Sequence, residues 1–278
     1  MRTLGMFAKQ PVPGRVKTRL AADWGVDRAA GLYQAFVRDL IQNLDFQCRD
    51  PADEVVRVLG FAPNEAPART WFEEATAGRW SLWPQPETDL GGRIVAFFGQ
   101  YASRQGSSAV LVGSDAPTLP VTFVLDAFHR LQSADVVLCP ASDGGYCLIG
   151  LRAGFNSASL FEEIDWSTER VLAQTARRIQ DLGLSLDLLP IWYDVDSVAG
   201  VEMLRGHLVA MDIAKPPETS ALAHTREFLS NETSLKSGRL LPYRPGFDSP
   251  VDHFPWGWYI SLFSIFGRES HFSGRPKV

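Results

Sequence analysis

Cysteine is scarce in this chain of 278 residues: there are three, Cys48, Cys139 and Cys147. They form no C-x-x-C pair, and an odd number cannot complete an intramolecular disulfide framework, so a reducing, cytoplasmic setting fits best. The five histidines, at 129, 207, 224, 253 and 271, are scattered. Without H-E-x-x-H or a Cys/His ligand spacing, they argue against a zinc enzyme. Basic charge is not in excess either, since 27 Lys and Arg face 32 Asp and Glu for a formal net charge of -5. No global field exists for coating nucleic acid, and any polyanion chemistry must be local. The sequence also lacks G-x-x-x-x-G-K-[ST], G-x-G-x-x-G and G-x-S-x-G. A Walker ATPase, a Rossmann dehydrogenase and a serine hydrolase therefore find no support. The apolar part of the first nine residues is too short for a signal-peptide core, and no run reaches the roughly 20 apolar residues of a membrane span. What remains is 45% hydrophobic and 21% charged, an ordinary globular composition.

The pattern along the chain alternates strand and helix. Thr3 to Ala8 reads as an apolar strand, followed by a Pro/Gly-punctuated basic loop from Lys9 to Arg19. Asp27 reads as the N-cap of a helix, because apolar residues from Ala29 to Leu44 repeat at helical spacing. Strands are expected at Glu54 to Ala62, Trp80 to Trp83, Ser108 to Gly113, Asp135 to Pro140, Tyr146 to Leu151 and Leu184 to Trp192. Helices are expected at Ala66 to Ala75, Gly91 to Ser103 and Val121 to Gln132, and from a Ser167 cap through Gly183. This order predicts a three-layer α/β/α domain with a mainly parallel sheet over residues 1–214, its ligands at the carboxyl ends of the strands. Residues 215–278 read as an extension with weak periodicity and an aromatic segment, Phe254 to Phe266. That segment suits docking within the chain, a homodimer contact, or, less readily, a membrane interface.

Chemistry concentrates in the loops. Lys9, Arg15, Lys17 and Arg19 lie between a strand and a helix, where cations and backbone N–H groups can converge on phosphate, although a solvated turn would have the same composition. Asp115 follows the apolar strand within Gly113-Ser-Asp-Ala-Pro117, and Asp194 and Asp196 end a later one. Carboxylates from two elements are what an oxygen-liganded Mg²⁺ or Mn²⁺ on a diphosphate requires, and turn capping is the plainer alternative. Asp143-Gly-Gly-Tyr146 sets two glycines beside an acid able to accept hydroxyl hydrogen bonds; a bare hairpin turn would look the same. Asp165-Trp-Ser-Thr168 offers an aromatic face and two hydroxyls, or a plain helix cap.

Taken in order, Phe7-Ala-Lys-Gln-Pro-Val-Pro-Gly-Arg-Val-Lys-Thr-Arg-Leu20, Asp89-Leu-Gly-Gly-Arg93, Gly113-Ser-Asp-Ala-Pro117, Asp143-Gly-Gly-Tyr146 and Asp194-Val-Asp196 resemble a bacterial family of GT-A-like nucleotide-diphospho-sugar transferases. Some of its members are labelled arsenosugar-biosynthesis glycosyltransferases, and a more distant likeness is to MobA-type and phospholactate guanylyltransferases. The resemblance covers about residues 1–210. It implies that Lys9, Arg15, Lys17 and Arg19 contact the nucleotide phosphates and that Asp115 and Asp196 hold Mg²⁺ or Mn²⁺. It also implies that Asp143, Gly144, Gly145, Tyr146, Asp89 and Arg93 line the sugar or acceptor pocket, where the aromatic face of Trp166, read from its own segment, is expected to join them. The expected activity is metal-dependent glycosyl transfer from a nucleotide sugar to a small hydroxyl acceptor, with Asp143 as base. The alternatives are nucleotidyl transfer from an NTP with loss of pyrophosphate, and a non-catalytic nucleotide-binding regulator.

Overall fold

The computed structural model describes residues 1–45, 54–214 and 222–237. Seven strands form one sheet in the order β3-β2-β1-β4-β6-β5-β7. They are β1 (Arg2–Lys9), β2 (Val55–Ala62), β3 (Ser81–Pro84), β4 (Ser108–Val112), β5 (Val136–Pro140), β6 (Tyr146–Arg152) and β7 (Leu186–Leu188). β6 runs antiparallel to its neighbours β4 and β5, and every other pairing is parallel. The mainly parallel three-layer arrangement expected from the alternation is the observed fold.

Side chains alternate across the sheet, as the period of two in a strand demands, and each face buries its own core. On one face Leu4, Met6, Val110, Val112, Val137 and Leu148 pack with the helices α1 (Thr18–Trp24), α2 (Val26–Asn43), α3 (Ala66–Thr76), α5 (Val121–Arg130) and α8 (Val198–Ala214). On the other, Val58, Leu111, Leu138, Ile149 and Leu151 pack under α4 (Leu90–Tyr101), α6 (Ser157–Leu160) and α7 (Val171–Asp181). Phe97 and Phe98 of α4 are fully buried there, their rings 5.4 Å apart edge to face. Because both faces are covered, β4 to β6 read as nearly unbroken apolar runs.

Several boundaries differ from the sequence expectations. Gly25, not Asp27, caps α2, and Asp27 sits in the first turn, where its charge suits the helix dipole. Ser167 adopts a left-handed φ of 63° and does not begin α7, which starts at Val171. Thr168 instead accepts the Arg170 N–H, at 3.3 Å. The strand expected at Leu184 to Trp192 shrinks to β7, with Trp192 rejoining the sheet as an isolated bridge to Ala141.

The helix α9 (Ala223–Ser237) lies against α2, so residues 222–237, which the sequence groups with the extension, belong to the same compact unit as the sheet. Cys139 and Cys147 are buried free thiols, their Sγ atoms 3.3 Å apart. Cys48 and the aromatic segment Phe254 to Phe266 lie outside the described residues. Among the described residues no helix is long and apolar enough to cross a membrane.

Candidate active site

The carboxyl ends of β1, β4 and β5 open into a cleft of about 760 Å³. β6, running the other way, contributes its first residues, Tyr146 and Cys147, to the same rim. Lys9, Arg15, Lys17, Arg19, Asp89, Arg93, Asp115, Asp143, Gly145, Tyr146, Trp166 and Asp196 all line this cleft. The loops singled out in the sequence, far apart along the chain, are therefore brought together.

One end of the cleft is organised around Lys17. It stands at the N-cap of α1 in the left-handed region, φ 48° and ψ 44°, an unusual place for a residue with a Cβ. Its side chain is 2% exposed, and Nζ lies 2.5 Å from Asp115 Oδ1 and 2.7 Å from Asp196 Oδ1. Burial opposes the ammonium charge, but the two carboxylates and their hydrogen bonds outweigh it and raise the pKa above that of an ordinary lysine. Arg19 adds a second cation to Asp196, at 3.3 Å.

Backbone bonds fix the acids. Val195 donates its N–H to the Asp115 carbonyl at 2.9 Å, Ser142 donates to the Trp192 carbonyl at 3.0 Å, and Trp192 to that of Pro140 at 2.9 Å. The segment from Trp192 to Asp196 is thus stapled to the ends of both β4 and β5. The Tyr33 hydroxyl, buried in α2, shares a 2.7 Å hydrogen bond with Ser114 and accepts the Lys9 N–H at 3.0 Å. It ties the basic loop to the acidic one.

Asp194 is a further acid of this end, visible in the Asp-Val-Asp run. Loss of hydration, followed by the fields of Asp115, Asp143 and Asp196, pushes its carboxyl up to about 7, while Lys17 pulls the other way.

The rest of the lining is built differently. Asp89 caps α4, accepting the Gly92 N–H at 2.8 Å, and Arg93 donates to the Thr88 carbonyl at 2.9 Å and to Gln85 Oε1 at 3.3 Å. Trp166 lies so close over α4 that a Cβ on Gly91 would fall 2.3 Å from its Nε1. Asp143 accepts the Gly145 N–H at 3.0 Å, closing its own turn.

Gly144 does not face the cleft. Its φ is +92°, and a Cβ there would stand 2.3 Å from the Glu169 carbonyl oxygen. The bond from Leu172 N–H to the Gly144 carbonyl, 2.9 Å, shows the same close approach. Sequence reasoning missed Tyr33, which reads as one more apolar position of a helix, and Glu169, which carries no local signal.

Among the described residues no three Asp, Glu, His or Cys side chains gather into a complete metal-ligand set. Two converging carboxylates do match a hard cation that takes its other ligands from substrate phosphate and water, as Mg²⁺ commonly does. The Lys17 ammonium, bonded to both, demonstrates that one positive centre can satisfy Asp115 and Asp196 together.

The family model described as "Uncharacterized protein conserved in bacteria (DUF2064)" matches residues 48–168. No curated protein matches the chain. Among solved structures, a candidate nucleotide-diphospho-sugar transferase from Desulfovibrio desulfuricans G20 is 30% identical, with a TM-score of 0.67 over 84% of this chain and 97% of that one. A cytidylyltransferase from Leptospira borgpetersenii serovar Hardjo-bovis is 13% identical, with a TM-score of 0.45 over 87% of this chain and 99% of that one.

Proposed function

Since the chain belongs to the bacterial family of uncharacterized conserved proteins (DUF2064) and shares the nucleotide-diphospho-sugar transferase fold, we propose that it transfers a glycosyl group from a nucleotide-diphospho-sugar to a small hydroxyl acceptor. The observation that carries this reading is what a single cleft gathers. Cations and paired carboxylates line it together with an indole, an acidic turn and a tyrosine.

In this reading the diphosphate lies against Lys9, Arg15, Lys17 and Arg19, whose charges stabilise the leaving group as the bond to the sugar breaks. A smaller depression of about 420 Å³, which shares Lys9, Arg15 and Arg93 with the cleft, gives the nucleoside a place. Asp115 and Asp196 would hold Mg²⁺ or Mn²⁺, an ion that supplies positive charge against the diphosphate when bound. Trp166 offers an apolar face to the sugar or acceptor, together with Tyr146 and Gly145, while Asp89 and Arg93 shape the adjoining wall. Asp143 takes the proton of the attacking hydroxyl; its second carboxylate oxygen remains available after Oδ1 has closed the turn.

The test is incubation with Mn²⁺ or Mg²⁺, separate nucleotide sugars or NTPs, and pooled hydroxyl acceptors, read by mass spectrometry. Release of a nucleoside diphosphate from one nucleotide sugar, abolished by EDTA, is the expected result. Pyrophosphate release from an NTP would instead make the protein a nucleotidyltransferase acting through the same phosphate-binding end.

A further inference from the structure

The ammonium of Lys17 bridges the two carboxylates that the proposed function gives to the cation. It contacts Asp115 and Asp196 at 2.5 and 2.7 Å, and the rings of Tyr33 and Phe36 lie 5.7 Å from it on the inner side. The side chain is 2% exposed, whereas Asp115 and Asp196 are 47% and 32% exposed. The lysine thus approaches the carboxylates from inside the protein and leaves part of each exposed to the cleft, with Arg19 3.3 Å from Asp196 Oδ2. Its left-handed backbone at the start of α1 is a conformation held against its own preference, as residues at functional sites often are.

A divalent ion added to these two carboxylates would bring a second positive centre beside a buried ammonium, and two like charges at such close range repel. The carboxylates cannot serve both fully. An anion that draws the ammonium away relieves the conflict, and a phosphate group held by Arg15 and Arg19 is the anion this end of the cleft is built to take.

We propose that Lys17 is an internal counter-ion that competes with the divalent cation for Asp115 and Asp196, so that cation and phosphate load as a pair. The free protein then binds Mn²⁺ weakly, and a phosphate ligand strengthens that binding by giving Lys17 another partner. The identity of the phosphate ligand rests on the function proposed above; the competition itself concerns Lys17, Asp115 and Asp196, with Arg19 on the second oxygen of Asp196.

The full chain is titrated with Mn²⁺, and the free ion is read by electron paramagnetic resonance, for the wild type, Lys17→Met and Lys17→Arg. Each titration is run with and without pyrophosphate, against a protein-free control. Lys17→Met should bind Mn²⁺ alone about tenfold more tightly than the wild type, and Lys17→Arg, which keeps the charge, should not. Pyrophosphate should tighten Mn²⁺ binding about tenfold in the wild type and much less in Lys17→Met. Mn²⁺ binding by Lys17→Met no tighter than by the wild type overturns the competition. Lys17→Gln takes the place of the Met variant if circular dichroism shows the latter unfolded. Failure of pyrophosphate to bind any variant would count against the proposed function, and the comparison on Mn²⁺ alone would still decide the role of Lys17.

Discussion

Asp39, in the middle of α2, accepts the Thr225 N–H at 2.8 Å through one carboxylate oxygen and the His224 N–H at 3.0 Å through the other. It is 1% exposed, a charged group buried to hold the first turn of α9. Phe228 completes the contact, its ring against Gly31 and 6.3 Å from that of Trp24, and Arg28 pairs with Glu232. Asp39→Ala leaves two backbone donors without their acceptor and should lower stability by about 1–3 kcal/mol, read as a fall in the urea midpoint.

Asp115→Asn removes the charge without changing the shape. Turnover should fall about a hundredfold or more, the scale seen when a group stabilising transition-state charge is lost. A normal rate in a folded Asp115→Asn protein would remove this residue from the proposed cation site.

Gly144→Ala combines two penalties, a φ of +92° and a Cβ 2.3 Å from backbone at Glu169. Destabilisation of about 1–3 kcal/mol should appear as a lower Tm. The accommodating shift must also move the segment carrying Trp166, so tryptophan emission should change in the native state.

Asp135 gives a prediction in pH. Burial alone would raise its pKa, but hydrogen bonds from the Ser185 side chain and backbone and from Arg152 overcome this and hold it below the ordinary carboxylate value. The folded pKa is therefore depressed, so the stabilisation is complete above the unfolded value and is lost as pH falls through the folded one. Acid unfolding below about pH 4 should be less steep in Asp135→Asn than in the wild type, measured as denaturant midpoint against pH.

Much of this was legible in the chain. β4 could be read from Ser-Ala-Val-Leu-Val because a strand covered on both faces needs no alternation, and α2 from its apolar spacing. The loops of Lys9 to Arg19, Asp115, Asp143 and Asp196 stood out by their charge, and the topology of a mainly parallel sheet carries them to one end of its strands. The onset of α1 stayed hidden, since its cap is a left-handed lysine without a capping side chain. So did the false cap at Ser167, because positive φ at a serine leaves no compositional mark. The pairing of Lys17 with two acids and the seating of Trp166 on Gly91 depend on contacts between distant segments. Local pattern carries no information about either.

The bond from Val195 to Asp115 and the bridge from Ala141 to Trp192 have a consequence for how such a cleft can diversify. They weld the acid-bearing segments to the ends of β4 and β5, which flank β6, so the spacing of the carboxylates is a property of the sheet. The wall at Trp166 to Glu169 rests on loop conformation and on the absence of side chains at Gly91 and Gly144. Substitutions there can reshape what enters beside the indole while the acid-bearing segments keep their geometry; under the proposed function this separates the evolution of acceptor choice from the handling of phosphate.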